Sequence, residues 1–154
     1  MKKPLHIDKQ TLEILKKIKK RPPAKLDLMV KKIHEDVFEQ IDCTSCGDCC
    51  REIGPRINQY DLMRLATNSG LSPSQFVEKY LRIDEDKDYV FKSMPCPFLE
   101  DDNHCFVYDE RPMACRDYPH TDSRRFVQRI DLSIKNAQVC PAVRDILVRL
   151  AGEV

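Results

Sequence analysis

Apolar residues recur at helical spacing in the first forty positions of the chain and predict two helices there. Over residues 8–20, Leu12, Leu15 and Ile18 fall near one face, and Asp8 precedes them as a candidate N-cap. Two consecutive prolines end this segment.

A second helix is expected over residues 26–41, because its apolar positions follow the i, i+3, i+4, i+7 pattern of an amphipathic helix. These positions are Leu26, Met29, Val30, Ile33, Val37 and Ile41. Together the two segments predict an N-terminal helical hairpin.

Capping and turn residues predict the helices that follow. One helix is expected to begin at Asn58 or Asp61 and to end at Thr67. The sequence Ser72-Pro73-Ser74-Gln75 then places Ser at the N-cap, Pro at N1 and Gln at N3, which is a strong helix start. A last helix is expected over residues 141–150, where apolar residues form one stripe.

Only short runs favour β-structure. Residues 89–91 predict a short strand, and residues 98–108 predict a hairpin with a polar tip. Residues 126–132 also predict a strand. The elements together indicate an α+β fold that is mainly α, in a cysteine-rich, metal-organised single domain with short β hairpins.

Charge is distributed unevenly along the chain. Residues 1–41 contain 11 Lys and Arg against 6 Asp and Glu, whereas residues 42–154 contain 15 against 19. We therefore expect an N-terminal helical extension at 1–41 and a metal-binding domain at 42–154. The basic helices are a candidate contact surface for a protein partner, although a solvated helix face explains the same charges. Nucleic acid is not expected as a partner, because aromatic residues do not interleave with the basic ones.

The composition excludes several classes of protein. The chain has 154 residues, of which 42% are hydrophobic, enough for a buried core. No apolar run approaches the roughly 20 residues that a membrane-spanning helix needs, so no membrane partner is expected. Only four glycines are present, which leaves no glycine-rich nucleotide-binding loop.

Eight cysteines are the most informative part of the composition. The basic N-terminus is not followed by the apolar segment of a secretory signal, so we expect a cytoplasmic protein whose thiols stay reduced. Adjacent Cys49 and Cys50 would strain neighbouring disulfides. We therefore interpret the cysteines as metal ligands. They are Cys43, Cys46, Cys49, Cys50, Cys96, Cys105, Cys115 and Cys140.

The spacing Cys43-x-x-Cys46-x-x-Cys49-Cys50 is typical of a cubane iron–sulfur cluster, whose fourth ligand often comes from a distant Cys-Pro pair. The chain has two such pairs, Cys96-Pro97 and Cys140-Pro141. Zinc is the alternative, because thiolates suit zinc as well as iron. The spacing favours an iron–sulfur cluster or iron. It does not exclude zinc, and it does not decide whether the chain holds one metal centre or two.

Histidine and carboxylate side chains are two further kinds of candidate ligand. His104 and His120 stand near cysteines and could replace one of them, but a surface or hydrogen-bonding histidine is the favoured explanation for each. The acidic run at 100–102 could bind a hard cation, although turn chemistry is the simpler explanation.

A catalytic thiolate is not expected. Arg111 and Arg116 flank Cys115 and would lower a thiol pKa, yet no base or orienting partner is identifiable. These arginines are expected to offset the charge of a thiolate-bound metal or to anchor the loop to carboxylates. We therefore expect a non-catalytic or accessory metalloprotein, with a redox role or metal trafficking as alternatives.

Several motifs resemble one known family. The segments that carry the resemblance are Cys43-Thr-Ser-Cys46-Gly-Asp-Cys49-Cys50, Cys96-Pro-Phe-Leu99 and Cys105-Phe-Val-Tyr108-Asp-Glu-Arg111-Pro112-Met-Ala-Cys115-Arg116-Asp-Tyr118-Pro119. They resemble the bacterial and archaeal cysteine-cluster family named for its CxxCxxCC motif, a zinc- or iron-chelating domain, over roughly residues 42–145. The resemblance implies a small cytosolic metal-binding domain. It also implies ligand roles for the first seven cysteines, with Cys140 as a late ligand.

Overall fold

Helices account for most of the fold. The computed structural model describes residues 4–154, apart from the side chain of Thr44. The elements are α1 (Lys9–Lys20), α2 (Leu26–Phe38), α3 (Cys43–Cys46), α4 (Asp48–Glu52), α5 (Gln59–Asn68), α6 (Pro73–Tyr80), β1 (Leu81–Ile83), β2 (Tyr89–Phe91), a 3-10 helix (Tyr108–Glu110), α7 (Met113–Asp117), a second 3-10 helix (Phe126–Arg129), α8 (Ile130–Asn136) and α9 (Pro141–Glu153). The predicted α+β, mainly α class is confirmed. Within the described range, no helix is both long and apolar enough to cross a membrane.

The chain divides into two compact units. The first comprises the residues up to Cys43 together with Pro119–Val154, and the second is Thr44–Tyr118. In the first unit, α1 and α2 both pack against α9. The side chains by which α9 fills this core are spaced as one helical stripe. They are Val143, Ile146, Leu147 and Leu150, all fully buried.

The two predicted N-terminal helices are present, with one boundary shifted. The Asp8 carboxylate caps α1 by accepting a hydrogen bond from the Thr11 amide at 2.8 Å. Helix α2 ends at Phe38, three residues before the predicted end at Ile41. The predicted division into an extension at 1–41 and a metal-binding domain at 42–154 stays a prediction.

The strand predicted over residues 126–132 is wrong, because this segment is helical. Phe126 and Ile130 are buried four residues apart, close to the period of a helix, whereas Leu132 is 39% exposed. The Asp27 carboxylate accepts hydrogen bonds from the amides of Arg125 and Phe126 at 2.8 and 2.9 Å. This distant carboxylate satisfies the first amide donors of the helical segment, so the chain turns into a helix there.

In the second unit, two capping boxes begin the helices that support the core. Asn58 and Asp61 cap α5 reciprocally, and Ser72 and Gln75 cap α6 in the same way. Both helix starts agree with the sequence predictions. The buried core between these helices and the sheet comprises Ile57, Leu62, Leu65, Ala66, Phe76, Leu81, Phe91, Phe98 and Val107.

In the part of the chain that the structure describes, the β-structure is one antiparallel two-stranded sheet, with Leu81 opposite Phe91 and Ile83 opposite Tyr89. The predicted strand at 89–91 is therefore confirmed as β2. The hairpin predicted at 98–108 is reduced to a single bridge between Leu99 and Cys105.

Candidate metal centre

Residues 43–50, which we term the motif segment, form two short helical turns joined at Gly47. Helix α3 begins at Cys43 and ends at Cys46, and α4 contains Cys49 and Cys50. Gly47 has a φ of 67°, a left-handed conformation that glycine adopts without steric cost. The reversal at Gly47 places two cysteines on each side of one tight turn.

Cys96 is tied directly to the end of the motif segment. Its amide donates a hydrogen bond to the Cys50 carbonyl at 2.7 Å. The chain then turns, and the amides of Phe98 and Leu99 donate to the Cys96 sulfur. Because amide donors stabilise the charged form of a thiol, this turn suits a ligating cysteine.

Cys105 follows the polar turn and has a similar environment. It bridges to Leu99, and the next amide, that of Phe106, donates to the Phe98 carbonyl at 2.8 Å. The Val107 amide donates to the Cys105 sulfur. Since Cys96 and Cys105 both pack against the core of the second unit, the surrounding fold sets their positions.

Cys115 lies on α7, a helix of only one turn whose start is anchored by Asp61. The Met113 amide donates to Asp61 Oδ1 at 3.1 Å, and the same oxygen accepts from Arg64 Nη2 at 2.8 Å. Asp61 is only 2% exposed. The carboxylate that caps α5 therefore also fixes the position of the helix that carries Cys115.

Four thiols from these segments influence one another electrostatically. Burial, together with the charges of the other three thiols, raises the pKa of Cys115 to about 12. Burial likewise raises the pKa of Cys96 to about 11 and raises that of Cys105. Cys50 differs: a hydrogen bond from the Cys49 side chain, opposed by burial, lowers its pKa to about 7. We term Cys50, Cys96, Cys105 and Cys115 the coupled thiols.

Arg111 is the cation whose charge acts on most of the coupled thiols. It favours the thiolate forms of all the coupled thiols except Cys96. Its guanidinium carbon lies 3.8 Å from the Tyr108 ring centroid, and its Nε donates to the Tyr108 carbonyl at 2.9 Å. Arg116, expected to act similarly, instead donates to the backbone carbonyls of Asp109 and Arg111 at 2.9 and 3.1 Å.

The donor set fits a thiophilic metal, but its side chains do not yet converge on one point. Within residues 4–154, no group of three or more His, Cys, Asp or Glu side chains is close enough to hold a metal ion. Ionised thiols would repel one another, and the charge of Cys50 raises the pKa of both Cys96 and Cys115. A bound cation removes this repulsion by deprotonating and attracting its ligands. Ligation of one ion by the coupled thiols therefore requires their side chains to move together.

The other predicted ligands lie outside the coupled thiols. All eight cysteines are present as thiols. Cys43 is exposed and belongs to the first unit. Cys140 is buried in that same unit, at the N-cap of α9. Cys46 and Cys49 are partly buried in the motif segment. Ligand roles for all eight cysteines stay predictions.

The acidic run after Leu99 is a turn, as its chemistry predicts. Asp102 Oδ1 accepts from the His104 amide at 3.1 Å, and the Asn103 amide donates to the Glu100 carbonyl at 3.0 Å. The His104 ring is half-exposed and lies 3.2 Å from the Asp102 carboxylate, which matches a surface histidine. Among the described residues, neither the Asp102 carboxylate nor the His104 ring belongs to a group of side chains that could hold a metal ion.

Two residues that contact the motif segment were not singled out from the sequence. Arg51 follows the last motif cysteine, and Asn103 occupies the tip of the polar turn. Arg51 Nη1 donates to the Cys46 carbonyl at 3.1 Å, and Asn103 Nδ2 donates to the Ser45 carbonyl at 3.0 Å. The available signals were the position of Arg51 beside the motif and the tolerance of Asn for left-handed turns.

Comparison with known proteins gives one match. A family model named CxxCxxCC, described as "putative zinc- or iron-chelating domain", matches residues 42–141. A search of curated proteins and a search of solved structures gave no match.

Proposed function

The chain belongs to the CxxCxxCC family of zinc- or iron-chelating domains, and we propose that it binds its metal through the coupled thiols together with the motif segment. The observation that carries this proposal is the backbone hydrogen bond that joins Cys96 to Cys50 at 2.7 Å, and the influence of Cys50, Cys96 and Cys105 on the pKa of Cys115 supports it. A cation bound by these sulfurs would deprotonate the thiols and offset the repulsion between the resulting thiolates.

We propose that the bound group is an iron–sulfur cluster or iron. The Cys-x-x-Cys-x-x-Cys spacing supports this, and so does the presence of one Cys-Pro pair, Cys96-Pro97, beside Cys50. Such a cluster, when bound, supplies one-electron transfer. Zinc is the alternative, in one or two cysteine-ligated sites with a structural or trafficking role.

Anaerobic purification followed by elemental analysis, sulfide analysis and electron paramagnetic resonance tests the identity of the metal. We expect iron with inorganic sulfide and thiolate-to-iron absorption in the visible region. A colourless protein that contains stoichiometric zinc would overturn the iron proposal and support the zinc alternative. Protein without bound metal that also fails to take up iron or zinc would refute both.

A redox or accessory role and a trafficking role differ in how readily the metal exchanges. In trafficking, a chromogenic chelator removes the metal quickly from exposed ligands such as Cys43. In a structural or redox centre, the partly buried coupled thiols release it slowly. We propose slow exchange and a cytoplasmic location, where thiols remain reduced.

The basic helices support a proposal about protein partners. Lys16 and Lys20 are exposed on α1, Lys31 and Lys32 are exposed on α2, and an acidic partner segment would complement them. Charge reversal is preferable to deletion as a test, because α1 and α2 pack on α9.

We expect a polyglutamate peptide to bind at low salt. The double variant Lys16→Glu, Lys20→Glu should bind it more weakly than the matched variant Lys79→Glu, Lys87→Glu in the second unit. Equal binding by the two variants would identify these lysines as a solvated helix face.

A further inference from the structure

The motif segment is held by two side chains that are not themselves ligands. Asn103 reaches from the tip of the polar turn, and its Nδ2 donates to the Ser45 carbonyl at 3.0 Å. Its Oδ1 accepts a hydrogen bond from Arg51 Nη2. One amide side chain therefore contacts the backbone before Gly47 and the side chain after it.

Arg51 contacts the backbone and an acidic side chain of the motif segment. Its Nη1 donates to the Cys46 carbonyl at 3.1 Å and lies 3.6 Å from the Asp48 carboxylate. A planar guanidinium can meet several acceptors at once with fixed geometry, which an ammonium cannot do. Arg51 and Asn103 thus contact the backbone just before Gly47 and the residue just after it.

The side chains of Arg51 and Asn103 both pack closely against Gly47. A Cβ added at Gly47 would lie 3.0 Å from Arg51 Nη1 and 3.1 Å from Asn103 Cβ. Its φ of 67° also disfavours any larger residue. Asn103 itself has a φ of 71°, a conformation that Asn tolerates better than most residues. The left-handed conformations of Gly47 and Asn103 and the close packing of the Arg51 and Asn103 side chains at Gly47 therefore depend on each other.

We propose that Arg51 and Asn103 are positioning residues that preorganise the motif segment and couple it to Cys105, two residues beyond Asn103. This inference rests on the proposed function, since it concerns the ligands of that centre. Holding the backbone of Ser45 and Cys46 in place reduces the ordering that metal binding must impose. It also links the motif segment to a thiol from a distant part of the chain.

Two variants separate positioning from charge. Arg51→Lys keeps the positive charge near Cys50 but loses the planar fork. Asn103→Gly removes the side chain and still permits a positive φ. The matched controls are Arg56→Lys, at an exposed arginine of the same unit, and Lys87→Gly, at another positive-φ position.

The first measurement is the affinity of each purified protein for Co²⁺, in competition with a chromogenic chelator, together with the thiolate-to-cobalt and d–d absorption bands. Removing a residue that orients ligands typically weakens binding about 10- to 100-fold. We expect that loss and altered d–d bands for Arg51→Lys and Asn103→Gly, and neither effect for the controls. The double variant should bind about as weakly as the weaker single one, because the two residues act as one unit.

The second measurement is amide hydrogen exchange over residues 45–50 without added metal. We expect faster exchange in both variants than in the wild type and the controls. Wild-type affinity, spectra and exchange rates in both variants would overturn the proposal. If the wild type binds no Co²⁺, the proposed function fails, and the exchange measurement alone decides whether the contacts order the segment. If Asn103→Gly loses its fold, as judged by circular dichroism, Arg51→Lys decides the outcome.

Discussion

The amide nitrogen of Met113 donates to Asp61 Oδ1 across 3.1 Å, which joins the capping residue of α5 to the first residue of α7. The same carboxylate accepts from the Asn58 amide at 3.2 Å and from Arg64 Nη2 at 2.8 Å. A single buried carboxylate thus connects the core helix of the second unit to the turn of helix that carries Cys115.

Substitution of this carboxylate should therefore affect both stability and metal binding. We expect Asp61→Ala to lower the free energy of unfolding by about 1.5–3 kcal/mol, because hydrogen bonds to a charged group are lost in a buried site. Asp61→Asn keeps an acceptor and should lose less. Urea unfolding followed by far-ultraviolet circular dichroism measures this, since the chain has no tryptophan.

The matched control is Ser72→Ala, which removes the cap of α6 in the same unit at a cost of about 1 kcal/mol. We expect Asp61→Ala to weaken Co²⁺ binding and Ser72→Ala to leave it unchanged. Equal Co²⁺ affinities in the two variants would contradict a role for Asp61 in placing Cys115.

The thiols should differ in reactivity once metal has been removed by a chelator. Because the Cys49 hydrogen bond lowers the pKa of Cys50 to about 7, alkylation of Cys50 should accelerate as the pH rises through that value. Cys96 and Cys115, with pKa values raised by burial to about 11 and about 12, should stay mostly unlabelled at neutral pH. Timed iodoacetamide labelling and peptide mass spectrometry measure each rate.

Substitutions of Cys49 test whether its hydrogen bond lowers the pKa of Cys50. Cys49→Ala removes the donor and should shift the labelling midpoint of Cys50 to higher pH, whereas Cys49→Ser retains a hydroxyl donor and should shift it less. Wild-type midpoints in both variants would show that the arginines, and not Cys49, set the reactivity of Cys50.

Metal removal should destabilise the second unit. A metal that binds only the folded chain adds stability of about 2.7 kcal/mol when its free concentration is 100 times its Kd. We expect a chelator to lower the unfolding midpoint and to increase hydrogen exchange over residues 44–118. Unfolding that is the same before and after complete metal removal would contradict coupling between metal binding and folding.

The first unit should lose stability in acid through His34. Burial lowers the pKa of His34 below 6.5, against the opposing charges of Asp122 and Glu35. Protonation therefore favours the unfolded chain: this contribution is complete above pH 6.5 and is lost as the pH falls through the folded-state pKa. The His34 Nδ1 atom lies 2.6 Å from Thr121 Oγ1.

His34→Gln keeps a hydrogen-bonding side chain that does not titrate, so its stability should vary less as the pH falls below 6.5. Urea titrations of both proteins across that range test this. His6→Gln, at an exposed position of the same unit, is the control. A wild-type slope in His34→Gln would assign the pH dependence to other groups.

Local signals predicted much of the fold. Ser72 with Gln75, and Asp8 before α1, are caps whose partners lie within three residues, so the sequence contains the whole interaction. The strand predicted at 126–132 is wrong because the partner that caps this segment, Asp27, lies about 100 residues away in the sequence. Its buried positions, Phe126 and Ile130, also fit a helix once that cap is known.

The same distinction applies to the candidate site. The motif segment is contiguous, so its spacing alone predicted ligands. The grouping of Cys50 with Cys96 depends on a backbone hydrogen bond, and the contacts of Asn103 depend on a turn without hydrophobic periodicity. Neither kind of contact leaves a pattern in a single sequence.

The first unit is interrupted in sequence, because α1 and α2 pack against α9 while residues 44–118 form the other unit. During synthesis, about 100 residues must be added after α2 before α9 has been made, which takes roughly 5–20 s at typical rates. Throughout that time the apolar face of α2, with Val30, Ile33 and Val37, has no α9 to cover it. The nascent chain is therefore expected to need a chaperone or the ribosome surface at that stage, and truncation before Pro141 should yield aggregation-prone protein.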